Sequence, residues 1–460
     1  MSTTVSKDTL QAKDLKFHLH PQTELWQHER QGPHIFTEGD GIYVTDIDGN
    51  KYIEGLAGLW CASLGFSERR LAEAADMQLR TLPFYHNFAH RTTPVAAELA
   101  ERLIQIAPGS LSKVFFTNSG SEANDSMVKL VWYYNNVQGR PQKKKIISRH
   151  GAYHGITVVA ASLTGMSYAH TFFDAPVDGV LHTNCPHYYH GGEEGESEEE
   201  YASRLADNLD AMIQREGADT VAAYIAEPVI GAGGVIPPPR TYFEKVQKLL
   251  KKYDILFVAD EVICGFGRTG TMFGCNTYEI KPDILIVAKA LSSGYIPIAG
   301  VLVSDDIYRV FVEGSKQVGT FGIGFTYSGH PVPCAVALET LKIYEERDIV
   351  GRVREIAPHF LERLHGFADN ALVGETRGVG LIGGIELVKD KTSRTNFDPA
   401  GKVGAQVASF ALAEGLIVRA LRNDTIAFCP PLIISHEQID DMFDRFTVAM
   451  QKAAHGIRRS

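Results

Sequence analysis

No two of the six cysteines (Cys61, Cys185, Cys264, Cys275, Cys334 and Cys429) form a C-x-x-C pair. That spacing excludes a zinc knuckle or a disulfide framework and fits a reducing compartment. The sequence also lacks any long Lys/Arg run. Its 460 residues carry 45 basic and 55 acidic side chains, a net charge of −10. A chain of that sign is a poor partner for nucleic acid or for an anionic membrane surface. Nowhere do about 18 apolar residues run together, so no membrane span is expected. The opening stretch MSTTVSKDTLQAKD has no apolar core of a signal peptide. The expectation is a cytoplasmic protein acting on small molecules, with no metal.

What is present is an alternation of short apolar runs with longer amphipathic stretches. The runs are Val114–Thr117, Lys145–Ser148, Val221–Ala226, Ile255–Ala259, Ile284–Ala288 and Ile298–Val303. Strands of this kind between helical patterns indicate an α/β domain with a mostly parallel sheet covered on both faces. Residues 34–58 read as a small antiparallel meander with turn signals at Gly39-Asp-Gly41 and Asp48-Gly-Asn50. After about residue 335 come a long helical pattern, short strands around 381–388 and 416–428, and a terminal helix near 436–455. The expected division is 1–65 as the N-terminal segment of a small α+β domain, 66–334 as a large domain, and 335–460 as the rest of the small domain. The acidic run Glu193–Glu200 reads as a solvated loop and helix start.

In an open parallel sheet, ligands bind beyond the carboxyl ends of the strands. The residues just past the runs are Asn118-Ser-Gly-Ser-Glu122, Arg149-His-Gly-Ala-Tyr-His-Gly155, Glu227, Asp260-Glu261 and Lys289. A sheet built only for stability gains nothing from ending five strands in polar groups. Lys289 stands at the mouth of a buried strand, where burial lowers an amine's pKa and makes it both nucleophile and proton carrier. The alternative is a lysine snorkelling out to solvent. Asp260 lies one strand–helix–strand unit earlier, so the two could face one site from neighbouring strands; a structural salt bridge is its other reading.

A lysine able to form an imine beside a carboxylate suits pyridoxal 5′-phosphate (PLP), whose ring nitrogen the carboxylate keeps protonated. Charges about 4 Å apart at an effective dielectric of about 20 interact by about 4 kcal/mol, enough for that task. Ser119-Gly-Ser121, after a strand and opening a helix, would direct free amides, hydroxyls and a helix dipole at a phosphate; alone it is equally an N-cap. Tyr153 could stack on a flat ring or simply pack. Gly265–Gly270 and Gly378–Gly383 both match G-x-G-x-x-G, yet neither leads from strand into helix, so both read as loops rather than dinucleotide sites. Gly231-Ala-Gly-Gly234 lacks the Lys-Ser/Thr of a P-loop and reads as a tight loop.

Phe257-Val-Ala-Asp-Glu-Val-Ile-Cys-Gly-Phe-Gly-Arg-Thr-Gly270, then Asp283 and Val287-Ala-Lys-Ala-Leu-Ser-Ser-Gly294, resembles the signature of class III aminotransferases. The resemblance extends over Gly55–Trp60, Thr117–Glu122, Tyr153–Gly155, Gly324–Pro331 and Arg377–Gly380, nearly the whole chain. It implies the fold-type I PLP architecture and a homodimer with active sites at the interface, with a tetramer as an open alternative. By that resemblance Lys289 is the Schiff-base lysine and Asp260 the partner of the ring nitrogen. Ser119, Gly120 and Ser121 cradle the phosphate, and Thr326 reaches it from the other subunit. Tyr153 and Val262 sandwich the ring, and Glu227 stands behind it.

Ornithine and 4-aminobutyrate aminotransferases typically carry Gln where this chain has Ile263. The segment Asp260–Arg268 is instead similar to amine:pyruvate (ω-) aminotransferases. That subgroup implies substrate-pocket walls from Leu59, Trp60 and Phe88, the last from the partner subunit, with Tyr153, Ala232 and Ile263 also at the substrate. Arg419 resembles the arginine that binds a carboxylate and swings away for an apolar amine, a role Arg422 could share; a surface strand residue is its other reading. The implied reaction is ping-pong transfer from an amine donor to pyruvate or another keto acid, giving alanine when pyruvate accepts. A racemase, aminomutase or phospho-lyase of the same fold is the alternative.

Overall fold

The computed structural model describes residues 6–457; the outermost residues of the two expected small-domain segments, 1–5 and 458–460, lie outside the described residues. Seven strands form the large sheet, in spatial order 111–117, 299–304, 284–287, 256–260, 221–226, 145–149 and 180–183. Strand Ala299–Ser304 runs antiparallel to both of its neighbours, and the other neighbouring pairs are parallel. Every residue of Val221–Ala226, Leu256–Asp260 and Ile284–Val287 is buried. Helices cover both faces, which is why these strands read as unbroken apolar runs instead of alternating ones. Because strand Leu111–Thr117 points the same way as the parallel ones, the carboxyl ends of six strands meet at one edge.

The chain ends come together in a second body. Strands Phe36–Asp40, Tyr43–Asp46 and Lys51–Glu54 form the expected meander, and Leu416–Ile417 adds to its edge parallel to Ile53–Glu54. A further sheet orders Val373–Val379, Ile382–Leu387, Thr425–Phe428 and Arg419–Ala420. Helix His436–Ile457 packs on it through Phe443 and Phe446, whose rings lie 5.1 and 5.0 Å from that of Phe428. Helix Pro331–Glu346 continues without a break through the position of a 334/335 division. Its Glu339 is paired with Arg70 of helix Arg69–Thr81.

One glycine cluster differs from its sequence reading. Gly378 and Gly383 lie in adjacent strands paired residue to residue, so this G-x-G-x-x-G is a hairpin and not a loop. Gly380 turns it at φ +58°, and a Cβ there would come within 2.3 Å of the Arg268 carbonyl. The acidic run does open a helix: Ser197 and Glu200 form a capping box at the start of Glu198–Glu216, and Glu196 is bound by Arg204.

Candidate active site

At the shared sheet edge lies a cavity of about 290 Å³, lined along its floor by Asn124, His154, Glu227, Asp260 and Lys289. Asp260 and Lys289 arrive there from adjacent parallel strands, Asp260 in register with Ile286. Ala288 is extended and Lys289 turns at φ +48°, a left-handed conformation costly for a residue with a side chain. Burial pushes the Lys289 amine down from its ordinary value, and the charge of Asp260 opposes that push without cancelling it.

Asp260 is nearly inaccessible, which by itself would raise its pKa. Three donors overturn that effect and hold it below the usual carboxylate value. Oδ2 accepts from His154 Nδ1 at 2.7 Å and from Asn124 Nδ2 at 3.1 Å; Oδ1 accepts from the Val262 N–H at 3.1 Å. A carboxylate that needs three partners to stay ionised in a buried place is arranged to meet a cation. Oδ1 takes a single hydrogen bond and keeps capacity for one more, and Asp260 lines the cavity.

The cradle is built by the 18-residue helix Gly120–Val137. Ser119 caps it, its Oγ accepting from the Glu122 N–H at 3.1 Å. Ser121 Oγ accepts from the Ile156 N–H at 3.1 Å, which ties the helix start to the Tyr153 loop. Gly120 is closely covered: a Cβ would stand 3.3 and 3.4 Å from the Val262 methyls, tight enough that Val262 would have to give way slightly. First-turn amides of a long helix, two hydroxyls and a bare backbone at one wall fit a phosphate.

Tyr153 forms another wall. Its N–H donates to Glu227 Oε1 at 3.1 Å, and Glu227 Oε2 accepts from the Gly231 N–H at 2.9 Å. Burial raises the Glu227 pKa. Its carboxyl group therefore fixes the loop that carries Tyr153. The Tyr153 hydroxyl accepts from Gln22 Nε2 at 3.3 Å. Burial pushes that phenol up, while the Gln22 bond and then the Arg419 charge pull it back.

Of the residues expected from sequence, Ser119, Gly120, Ser121, Tyr153, Glu227, Asp260, Val262, Ile263 and Lys289 all line this cavity. Leu59, Trp60, Phe88, Ala232, Arg419 and Thr326 are not in its lining. Leu59 is exposed. Trp60 is buried and reaches the cavity only indirectly, in one apolar cluster with Ile263. Ala232 and Arg419 are half-buried. Thr326 is exposed, and so is Phe88, whose ring packs where a Gly324 side chain would be. Sequence reasoning passed over Asn124 and His154. Asn124 was legible as the position one helical turn past Gly120, and His154 as the neighbour of Tyr153.

A parallel-sheet edge with a pKa-lowered lysine, an ionised buried carboxylate and a helix-start cradle defines a PLP-dependent enzyme of fold-type I. The chain belongs to the class-III aminotransferase family: residues 26–450 match Aminotransferase class-III. It is 51% identical over 454 residues to γ-aminobutyrate transaminase 3, chloroplastic, of Solanum lycopersicum, covering 97% of this chain and 87% of that one. It is 53% identical to the vanillin aminotransferase of Capsicum chinense, covering 94% of each. Among solved structures, the omega transaminase of Pseudomonas jessenii in complex with PMP superposes with a TM-score of 0.96 at 51% identity, covering 97% and 98% of the two chains.

Proposed function

We propose that this protein is an amine:pyruvate (ω-) aminotransferase, moving the amino group of a primary amine or ω-amino acid to pyruvate in a ping-pong cycle. The products are an aldehyde or ketone and L-alanine. The observation that carries this reading is Arg419. The acids in the strands of its own sheet, Glu375 and Glu386, are both taken by Arg377, and Arg419 forms no ion pair among the described residues. It is near enough to Tyr153 and Tyr168 for its charge to oppose the rise of both phenols. A half-buried guanidinium without an acid partner beside a cavity suits a carboxylate held in two bonds.

Bound PLP supplies an electron sink for the carbon that carries the amino group. Lys289 would hold the cofactor through its aldehyde carbon and would carry a proton at its Nζ, since burial lowers the pKa of its amine. Asp260 holds a proton on the ring nitrogen, with His154 and Asn124 keeping the carboxylate ionised and aimed. Ser119, Gly120 and Ser121 would anchor the phosphate, and Tyr153 and Val262, which line the same cavity, would hold the ring. Glu227 positions Tyr153.

The remaining roles fall at the rim. Leu59, Trp60, Ala232 and Ile263 shape the donor pocket, and a homodimer brings Phe88 and Thr326 of each subunit to its partner's cavity. Exposed Phe84, Tyr85, Phe88 and Tyr327 give that interface its apolar surface. A solved omega transaminase engineered for enantiopure bulky amines, 50% identical to this chain, is changed at a Trp, a Phe and an Arg numbered two below Trp60, Phe88 and Arg419. Relatives named for an ω-amino acid and for an aromatic aldehyde support both donor classes. The six free cysteines support a reducing, cytoplasmic location.

The test is a panel of 4-aminobutyrate, a diamine and an arylalkyl amine, each with pyruvate, read by alanine release. Alanine formed from at least one donor is expected. Amino groups rearranged or eliminated without pyruvate consumption would replace this reading with a mutase or lyase.

A further inference from the structure

Between the two N-terminal helices, Lys7–Phe17 and Leu25–Gln31, three imidazoles converge on one carboxylate. His20 Nε2 lies 2.7 Å from Asp14 Oδ1, and His28 Nε2 lies 3.3 Å from the same oxygen. His18 Nδ1 lies 3.1 Å from Oδ2. The His18 and His20 rings are 4.3 Å apart by their centroids, and those of His20 and His28 are 4.1 Å apart. The ligand atoms of Asp14, His18 and His20 all fall within 4.8 Å of one another. We propose that Asp14, His18 and His20 bind a divalent transition ion of the zinc type, with His28 beside them at the Asp14 carboxylate.

Zinc binds imidazole nitrogen and carboxylate oxygen at about 2.0–2.2 Å in a tetrahedron, which sets neighbouring ligand atoms about 3.3–3.5 Å apart. The separations of 3.1 Å for His18 and 3.3 Å for His28 from the Asp14 oxygens lie close to that edge length, and the 2.7 Å contact of His20 is a hydrogen bond that an entering ion would open by about half an ångström or more. Imidazoles with one carboxylate are a donor set that zinc takes and that magnesium or calcium, which want oxygen ligands, does not. The side chains of Asp14 and His20 are each 22% exposed, so an ion can reach them, while His28 Nε2 is buried without a well-formed hydrogen bond.

A second cluster, His187, His190 and Glu386, satisfies the same proximity but is a different object. There Arg377 donates to Glu386 at 2.7 Å and to Glu375 at 2.6 Å, so a buried guanidinium already holds the cation's place. No Lys or Arg is bonded to Asp14 among the described residues. An ion at the N-terminal cluster would tie residues 14–28 together. That stretch includes Gln22, whose amide holds the Tyr153 hydroxyl at the cavity. The site would thus fasten the N-terminal strap across the active site without taking part in the chemistry.

The test is calorimetric titration of ZnCl2 into untagged, chelator-treated holoenzyme. One saturable site per chain is expected, with micromolar or tighter affinity. Asp14→Asn and the double change His18→Ala/His20→Ala should each weaken that site at least tenfold, while His187→Ala/His190→Ala should leave it intact. Asp14, His18 and His20 lie outside the buried cores, whereas His187 is buried against Glu375, so retained PLP absorbance is the check that each variant is folded. Absence of a saturable site, wild-type affinity in both N-terminal variants, or loss of binding only in His187→Ala/His190→Ala would each overturn the assignment.

Discussion

At the floor of the cavity Asp260 is held by three donors from its own chain, whereas Phe88 and Thr326, proposed for the rim, stand exposed, outside the lining of that chain's cavity. The floor is assembled from the ends of parallel strands, whose positions the sheet ladder fixes to within a hydrogen bond. The proposed rim draws on the turn at 57–60, the hairpin-edge strand at Arg419 and loops at 84–88 and 324–327, none of which the large sheet constrains. Chemistry common to a family belongs on the rigid part, and discrimination among donors on the part free to vary. Changes at the floor should therefore abolish turnover with every donor, and changes at the rim should reorder donors.

The largest effect is expected at the floor. Lys289→Ala should lower kcat by at least about a thousandfold with all donors, since one residue supplies both covalent anchor and proton carrier. Rapid-quench or steady-state assays with two unlike amines check it, and donor-dependent residual activity would break the division between floor and rim. Asp260→Asn should cost about 10²–10³-fold while PLP stays bound, because it removes a charge interaction of about 4 kcal/mol or less. Retained cofactor absorbance with unchanged turnover would show that the carboxylate is structural.

At the rim the expected signature is selectivity. Arg419→Ala removes a charge-assisted pair worth about 1.5–3 kcal/mol. It should lower kcat/KM for pyruvate by about 10–100-fold and for an arylalkyl amine by less than about threefold. Equal losses for both substrates would assign the carboxylate to another residue, with Arg422 next to be tested. Phe88→Ala should alter donor preference, and co-expression with Lys289→Ala subunits sharpens the point. If Phe88 serves the partner's cavity, the mixed dimer has one intact site and recovers the wild-type preference; if it serves its own, the altered preference persists.

The floor was legible in the sequence because burial on both faces turns a strand into an apolar run, and the first polar residue after that run marks the sheet edge. Lys289, Asp260, Glu227 and Ser119 were all found by this rule. Asn124 and His154 escaped it because their importance lies in a third residue, Asp260, that each meets only after folding. The antiparallel direction of Ala299–Ser304 was hidden for a related reason: a buried strand has the same composition in either direction. The Gly378–Gly383 hairpin was missed because a two-residue turn between glycine-rich strands carries little alternation of apolar and polar positions. At the rim, the family signature marked Trp60 as a pocket wall, but its place in a buried cluster behind Ile263 depends on the left-handed turn through Ala57, Gly58 and Trp60, which no local pattern announces.

The same turn yields the smallest of the expected effects. Glu54 closes strand Lys51–Glu54, and its Oε1 accepts from the Leu56 N–H at 3.0 Å, bracing the start of the segment that carries Leu59 and Trp60. Burial pushes its pKa up to about 7, against the pull of the Leu56 and Gly58 amides. The folded state therefore keeps a proton that the unfolded chain, with a carboxyl near its ordinary value, gives up. Stability from this group is fully present below about pH 4.5 and is lost as pH rises through about 7, at a slope set by one proton. Glu54→Gln stays neutral throughout and should flatten that part of the pH–stability curve. Urea unfolding midpoints at pH 5 and pH 8 measure it: the wild type should lose more stability between the two than Glu54→Gln, with kcat for any donor changed by less than about threefold. Parallel losses would mean that Glu54 is ionised in the fold, and the turn beneath Trp60 would then need a buried charge to explain it.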